Sequence, residues 1–328
     1  MKPKLAFIDH HFHRYTKSGN FLKEIFFKKF QVNHFYIKSD KDYPKNIKDY
    51  DNFFCFQMLP PLSILNKLKG KNIVWAPMYD SMHYPYNFKK VLWDIVEYYN
   101  IKVIFFSNKL KSFSRKNKIH SIYLKYFKKN KKITTKRKKL NIFFWNRGGL
   151  ELADWLNVFD QGDINCIYYL GFKDSDNSIV KNLNCKVKKI KSDFIKKEFF
   201  INLLKKSDVY ICPRRKEGIG MGHVEAIAYG KYLIAFNDAT MNEYIINQNI
   251  GHILKNKNKK IKKNLVYKSM VLREKYAADG YKKYVKDKSK IYELFKKKIN
   301  FNTNYVIEIK IYLRYLFLAL AWKLKIYF

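Results

Sequence analysis

The stretch Tyr210–Ile245 constrains the fold more than any other part of the chain: YICPRRKEGIGMGHVEAIAYGKYLIAFNDATMNEYI. An apolar run, Val209–Cys212, meets a proline and three cations, Arg214, Arg215 and Lys216. Glu217 and three glycines follow, Gly218, Gly220 and Gly222, and then a second acid, Glu225. Val224–Tyr229 has helical character, Gly230 ends it, and Tyr232–Phe236 is a second apolar run. Strand, glycine loop, helix, strand is one βαβ unit with its unusual residues at the first turn. Such a turn is an anion cradle. Glycines let the backbone approach a ligand, and a helix opening near Gly222 points free N–H groups at it. The cations just before the turn are placed to meet phosphate oxygens.

The same design recurs along the chain. Leu5–Ile8 reads as a buried strand, and Ser18-Gly19-Asn20 precedes an amphipathic stretch, Phe21–Phe30. Leu140–Trp145 reads as a strand that ends at Asn146-Arg147-Gly148-Gly149, before a helix over Leu150–Phe159. Further short strands are expected at His34–Ile37, Asn52–Phe56, Ile73–Pro77, Val103–Phe106, Cys166–Leu170 and Lys186–Ile190. Helices are expected over Phe88–Tyr99, Lys197–Ser207, Val266–Tyr284 and Ile291–Ile299. The stretch Lys128–Lys139, KKNKKITTKRKK, has a single apolar residue and reads as an exposed connection or a basic arm. The expected organisation is an α/β chain: an N-terminal Rossmann-like domain over 1–127, a basic linker over 128–139, a C-terminal Rossmann-like domain over 140–300, and a basic aromatic tail over 301–328.

Composition narrows the partners. A length of 328 residues suits two domains, and 47% hydrophobic residues are ample for a core. The 67 cations against 27 anions create a positive field. It favours nucleotide diphosphates, phospholipid headgroups or nucleic acid. The crowding of Lys, Asn, Ile, Phe and Tyr also matches an AT-rich coding sequence, so part of this charge is a solvated surface. Cys55, Cys166, Cys185 and Cys212 have no CxxC spacing, which gives neither a zinc site nor a disulfide framework and suits a reducing cytosol. The apolar run near the N-terminus is too short for a signal peptide, and no segment offers the run of about 18 uncharged apolar residues that a membrane span needs.

Glu217 and Glu225 have seven residues between them. This stretch resembles the E-x7-E motif of retaining GT-B glycosyltransferases, especially glycosyltransferase family 4. Glu217-Gly218-Ile219-Gly220 looks like that family's E-G-x-G, and Glu225-Ala226 with Gly230 looks like its E-A-x-A-x-G. Asn242-Glu243-Tyr244-Ile245 followed by Gly251 looks like its downstream E-x-I and glycine. The resemblance implies two Rossmann-like domains facing across a cleft (GT-B) and transfer of a sugar from a nucleotide-sugar to an acceptor hydroxyl, with retention and without a metal. It implies that Glu217 faces the donor sugar and that Glu225 accepts hydrogen bonds from ribose hydroxyls. Arg147 matches the first member of the family's diphosphate-holding basic pair. The usual lysine a few residues later is absent, with Glu151 and Asp154 in that region, so Lys216 or Arg215 is left to supply the second contact. Gly218, Gly220, Gly222 and Glu243 complete the expected donor site.

The acceptor side is marked more faintly. His10, His11, His13 and Arg14 follow the first strand, where a metal site, a surface loop and a place in the crevice with Gly19 all stay open. Asp80 and His83 follow the strand at Ile73–Pro77 and are candidates for catalysis or for a simple capped turn. Asp174-Ser175-Asp176 forms the D-x-D with which GT-A glycosyltransferases hold a metal, and here reads as a polar loop. The tail, VIEIKIYLRYLFLALAWKLKIYF over 306–328, has cations and aromatics around an apolar centre. It suits an anionic membrane surface, a helix packed back on the protein, or an oligomer contact. The expected partners are a nucleotide-sugar donor, a glycan or lipid-linked acceptor and that membrane surface. No cofactor, metal or nucleic acid is expected. A cytoplasmic location, peripheral on the inner face of the membrane, and a role in bacterial surface glycan assembly complete the reading. The alternatives are a basic nucleic-acid-binding protein and an inactive GT-B scaffold.

Overall fold

The computed structural model describes residues 1–82, 86–114, 119–131, 137–147, 151–192, 195–212, 214, 216–238, 240–255, 260–296 and 305–323. The chain forms two compact units, Met1–Leu124 with Asp287–Phe328, and Lys125–Lys286. Each is built on a six-stranded sheet whose paired strands are all parallel. The α/β class with two Rossmann-like sheets is therefore observed.

In the first unit the strands are β1 (Lys4–His10), β2 (Gln31–Ile37), β3 (Asn52–Phe56), β4 (Asn72–Ala76), β5 (Lys102–Phe105) and β6 (Ser121–Tyr123). Their order is β2-β1-β3-β4-β5-β6. Leu5, Ala6, Phe7 and Ile8 are buried without a polar interruption, because helices cover both faces of a parallel sheet. The chain leaves β1 toward β2 and then crosses to β3 on the other side. The topological switch point therefore lies between β1 and β3, where open α/β sheets place their ligands.

The residues after Asp287 return to this first unit, although residues up to 300 are expected in the second domain and 301–328 as a separate tail. Ile291 and Leu294 are buried, and the Phe295 ring packs 5.8 Å from Phe26 and 5.1 Å from Phe30. The helix Tyr305–Lys323 follows. It docks through a narrow stripe: Ile311 is buried, Glu308 accepts hydrogen bonds from Lys69 Nζ and Tyr98 Oη, and Arg314 lies 3.6 Å from Asp94.

In the second unit the strands are β7 (Leu140–Trp145), β8 (Ile164–Leu170), β9 (Lys186–Ile190), β10 (Val209–Ile211), β11 (Tyr232–Phe236) and β12 (Gly251–Leu254). Their order is β12-β11-β10-β7-β8-β9. Counted from β7 this is the 3-2-1-4-5-6 order of dinucleotide-binding sheets, with the switch point between β7 and β10. Leu140, Ile142, Phe144, Trp155, Tyr169 and Ile234 anchor one core face.

Three local expectations change in this unit. The single helix expected over Val266–Tyr284 is two, Lys263–Lys268 and Met270–Asp287. The buried Arg273 lies behind the break: its guanidinium donates to Ser269 Oγ and to the carbonyls of Val266 and Gly230, satisfying helix-end acceptors. The helix expected over Leu150–Phe159 is shorter, Leu152–Leu156, because Glu151 and Asp154 form a capping box that sets its start. The described ends of the expected linker are not a free connection. Lys128 pairs with Glu225, Lys131 N donates to Ala228 O at 2.6 Å, and Arg137 lies 2.8 Å from Asp208.

Candidate functional site

The switch point of the second sheet brings together the loop after β7 and the loop after β10. Arg147 comes from the first, and its guanidinium stacks 4.8 Å from the Trp145 ring centroid. Cys212, Arg214 and Glu217 come from the second. Glu217 is 8% exposed, and its Oε2 accepts from Arg147 Nη1 at 3.2 Å and Arg214 Nη1 at 3.4 Å. Burial opposes the charge on Arg147, but the Glu217 carboxylate and the neighbouring Cys212 and Tyr210 outweigh it and hold the guanidinium pKa above its usual value. One buried carboxylate thus meets two cations, which leaves a net positive corner.

The helix Met221–Ala228 starts at this corner. Gly220 precedes it at φ 72°, a left-handed conformation that glycine adopts without a steric cost. At Gly222 a Cβ would collide with Tyr210 Oη, so the helix opens against the strand with no room for a side chain. Thr240 Oγ1 lies 2.7 Å from the Glu217 carbonyl and 2.8 Å from that of Gly218, fixing the glycine loop from behind. His223 in the first turn is 1% exposed and packs edge-on against Tyr210 at 5.7 Å. Neither of its ring nitrogens has a hydrogen-bond partner among the described residues. Burial pushes its pKa down to about 3, so it is a neutral imidazole near pH 7.

The second acid lies on the same helix. Glu225 Oε1 pairs with Lys128 Nζ, and the two side chains are 13% and 24% exposed. Glu243 sits in the short turn Asn242–Tyr244. Its carbonyl accepts from Lys125 Nζ at 2.5 Å, and that ammonium lies 4.8 Å from the Tyr244 ring. Burial pushes the Lys125 pKa down to about 8, against the opposing pull of Glu243.

The structure therefore gathers Arg147, Glu217, Gly218, Gly220 and Gly222 at one switch point, with Glu225 farther along the helix. Lys216 is exposed, and of the three cations before the turn Arg214 pairs with Glu217. Arg215, His83, Gly148 and Gly149 lie outside the described residues. Thr240, Tyr210 and His223 carry no site prediction of their own. Arg214 belongs to the cation run and was legible as such, whereas Thr240, Tyr210 and His223 act through burial that no local motif announces.

In the first unit, Asp80 lies in the short turn Tyr79–Ser81 after β4. His13 and Gly19 lie after β1, around the buried carboxylate of Asp9. The D-x-D is split. Asp176 is buried and accepts from Tyr169 Oη, while Asp174 is exposed and pairs with Lys191 at 3.1 Å. One member serves the fold, so the two carboxylates do not converge. Among the described residues no group of three or more His, Cys, Asp or Glu is arranged to hold a metal ion.

Comparison with known proteins agrees with this geometry. The family model described as Glycosyl transferases group 1 matches residues 177–300. No curated protein matches the chain. A glycosyltransferase from Rickettsia africae superposes with TM-score 0.56 at 15% identity, covering 90% of this chain and 99% of that one. Anabaena HepE in complex with UDP gives 0.51 at 11% identity, covering 88% and 98%. The pneumococcal O-GlcNAc transferase GtfA, in complex with UDP and GlcNAc, gives 0.50 at 11% identity over 75% of this chain. The chain spans 57% of the length of that pneumococcal protein. At these identities the structures share the fold. The family model and the fold together support a glycosyltransferase of the GT-B architecture.

Proposed function

We propose that this protein transfers a sugar from a nucleotide-sugar donor to an acceptor hydroxyl, with retention at the anomeric carbon and without a metal. One observation carries the reading: Arg147 and Arg214 converge on Glu217 at the switch point of a 3-2-1-4-5-6 sheet, where a helix opens behind Gly220. The cations and the free N–H groups of the helix start would meet the donor diphosphate, whose charge grows as the sugar leaves. Preorganised donors help most at that stage, because they need no rearrangement when the bond breaks. Glu217 would face the sugar. Glu225 would accept ribose hydroxyls through Oε2, its Oε1 being held by Lys128. Matches to proteins that bind UDP favour a nucleoside diphosphate as the leaving group.

In this reading the protein works in the cytoplasm on a surface glycan or its lipid-linked precursor, such as lipopolysaccharide or capsule, at the inner face of the membrane. The helix Tyr305–Lys323 supports that part. Val306, Ile309, Leu313, Leu316, Phe317 and Leu320 are all exposed, beside Lys310 and Arg314. A cavity of about 310 Å³ lies under it, lined in part by Leu62, Tyr98, Ile311 and Leu313. Among the described residues no helix is long and apolar enough to cross a membrane, so the contact would be with the surface.

Calorimetric titration with UDP, GDP, ADP and TDP tests the donor site. One of them should bind, and Glu225→Ala should weaken it about 10- to 100-fold, as loss of a charge-assisted hydrogen bond does. No binding by the wild type, or unchanged binding by the variant, would refute the assignment. Steep salt-dependent binding of nucleic acid without nucleotide affinity would favour the nucleic-acid alternative.

A further inference from the structure

The stretch expected as an exposed basic linker carries a cation into the second unit. Lys128 and its partner Glu225 both belong to that unit. The chain is fixed on either side of Lys128. Phe127 packs edge-on against Tyr244 and Tyr276, with ring centroids 5.5 Å away in each case. Gly280, on the helix Met270–Asp287, leaves room for that ring, since a Cβ there would collide with it. The Tyr126 carbonyl accepts from Tyr244 Oη at 2.8 Å, and the Tyr126 ring lies 5.0 Å from that of Tyr284. On the other side, Lys131 N donates to the carbonyl of Ala228. Anchored before and after, Lys128 is delivered to the helix Met221–Ala228 on which Glu225 stands.

The two side chains are 24% and 13% exposed, so they meet largely out of water. Lys128 Nζ donates to Glu225 Oε1. An ammonium has three N–H groups, and among the described residues the Lys128 ammonium has no second hydrogen-bond partner. As a pair the two charges cancel, which suits a neutral ligand group better than a phosphate. A hydroxyl both donates and accepts. A carboxylate can only take its O–H, and an ammonium can only give to its lone pair. Glu225 alone therefore meets half of what a hydroxyl offers, and Glu225 beside Lys128 meets both halves. Each of these hydrogen bonds is charge-assisted, and so stronger than one between neutral groups.

We propose that Lys128 is a specificity-determining residue of the donor site: with Glu225 it reads a ribose hydroxyl of the nucleotide. The role rests on the glycosyl-transfer reading above. The hydroxyl donates to Glu225 Oε2 while its oxygen accepts from Lys128 Nζ. A nucleotide without that hydroxyl leaves both partners short of a hydrogen bond, and a site built in this way rejects it.

The experiment is calorimetric titration of the wild type and of Lys128→Met with UDP, GDP and ADP and with the 2′,3′-dideoxy form of each. Methionine keeps the apolar stem and drops the ammonium. For the diphosphate that binds, the wild type should prefer the ribose form by about 30-fold or more. Lys128→Met should cut this preference about tenfold and hold the dideoxy form within about threefold of the wild-type affinity. A residue with a merely structural role would weaken both forms alike. An unchanged or larger preference in Lys128→Met, or equal weakening of both forms, would overturn the role of Lys128 while the donor reading stands. Equal affinity of the wild type for the two forms would overturn it as well. If the wild type binds none of the three diphosphates, the donor reading falls and takes this one with it. Should Lys128→Met not fold, Lys128→Ala is judged by the same outcomes.

Discussion

Replacing His223 by leucine should flatten the acid limb of the protein's stability curve. The folded chain resists protonation of this imidazole until about pH 3, whereas an unfolded histidine takes up its proton near pH 6.5. Between those values the unfolded state binds more protons, so stability falls as the pH falls, and the slope is about 1.4 kcal/mol per pH unit. From pH 6.5 to 4.5 this one side chain removes roughly 2 kcal/mol, a large part of a typical domain's stability. Above pH 6.5 the proton term vanishes and another appears. Neither ring nitrogen is hydrogen-bonded among the described residues, so His223→Leu removes a buried unpaired N–H. The variant should therefore match or exceed the wild type at pH 8, by about 1 kcal/mol. Urea unfolding of both proteins at pH 8, 6.5, 5.5 and 4.5 is the assay. Other groups titrate in both chains, His10 among them with its pKa lowered by burial and by His11 and His13, so the difference between the curves isolates His223. Parallel curves over this range would refute the buried neutral imidazole.

Three other outcomes are expected. Gly222→Ala places a methyl group against Tyr210 Oη and 3.4 Å from the Trp145 ring, which should cost about 1–3 kcal/mol by overpacking and be read as a lower Tm. Arg147→Ala should weaken nucleoside diphosphate binding about 10- to 100-fold, and Arg147→Lys should restore little, because an ammonium loses the planar stack on Trp145. Deletion of residues 306–328 should abolish flotation with vesicles containing phosphatidylglycerol but not with neutral ones. Equal flotation of the shortened chain would remove the helix from the membrane reading.

Much of the fold was legible because parallel strands buried on both faces must be continuous apolar runs. Leu5–Ile8, Asn52–Phe56 and Tyr232–Phe236 announced themselves in this way. The glycine loop was equally plain, since Gly220 and Gly222 answer a left-handed turn and a close approach that leave no choice of residue. Features set by long-range burial were not legible. The return of residues after Asp287 to the first unit depends on Phe295 finding Phe26 and Phe30, some 265 residues earlier in the chain. Glu151 and Asp154 read as an anomaly in a phosphate-binding loop and are a capping box. Asp9 was passed over in favour of the histidines around it, because an acid inside an apolar strand end shows its value only when His34 arrives from β2. The pairing of Arg214 with Glu217 was not legible either, because the direction a side chain takes in a tight turn is not written in its order.

The most direct measurement of the central claim is release of nucleoside diphosphate from a panel of nucleotide-sugars by the wild type and by Glu217→Ala. The wild type should turn over at least one donor, undiminished by EDTA. The variant should lose about 100-fold or more, with its fold checked by circular dichroism. Turnover by Glu217→Ala at the wild-type rate, or no turnover of any donor by the wild type, would contradict it.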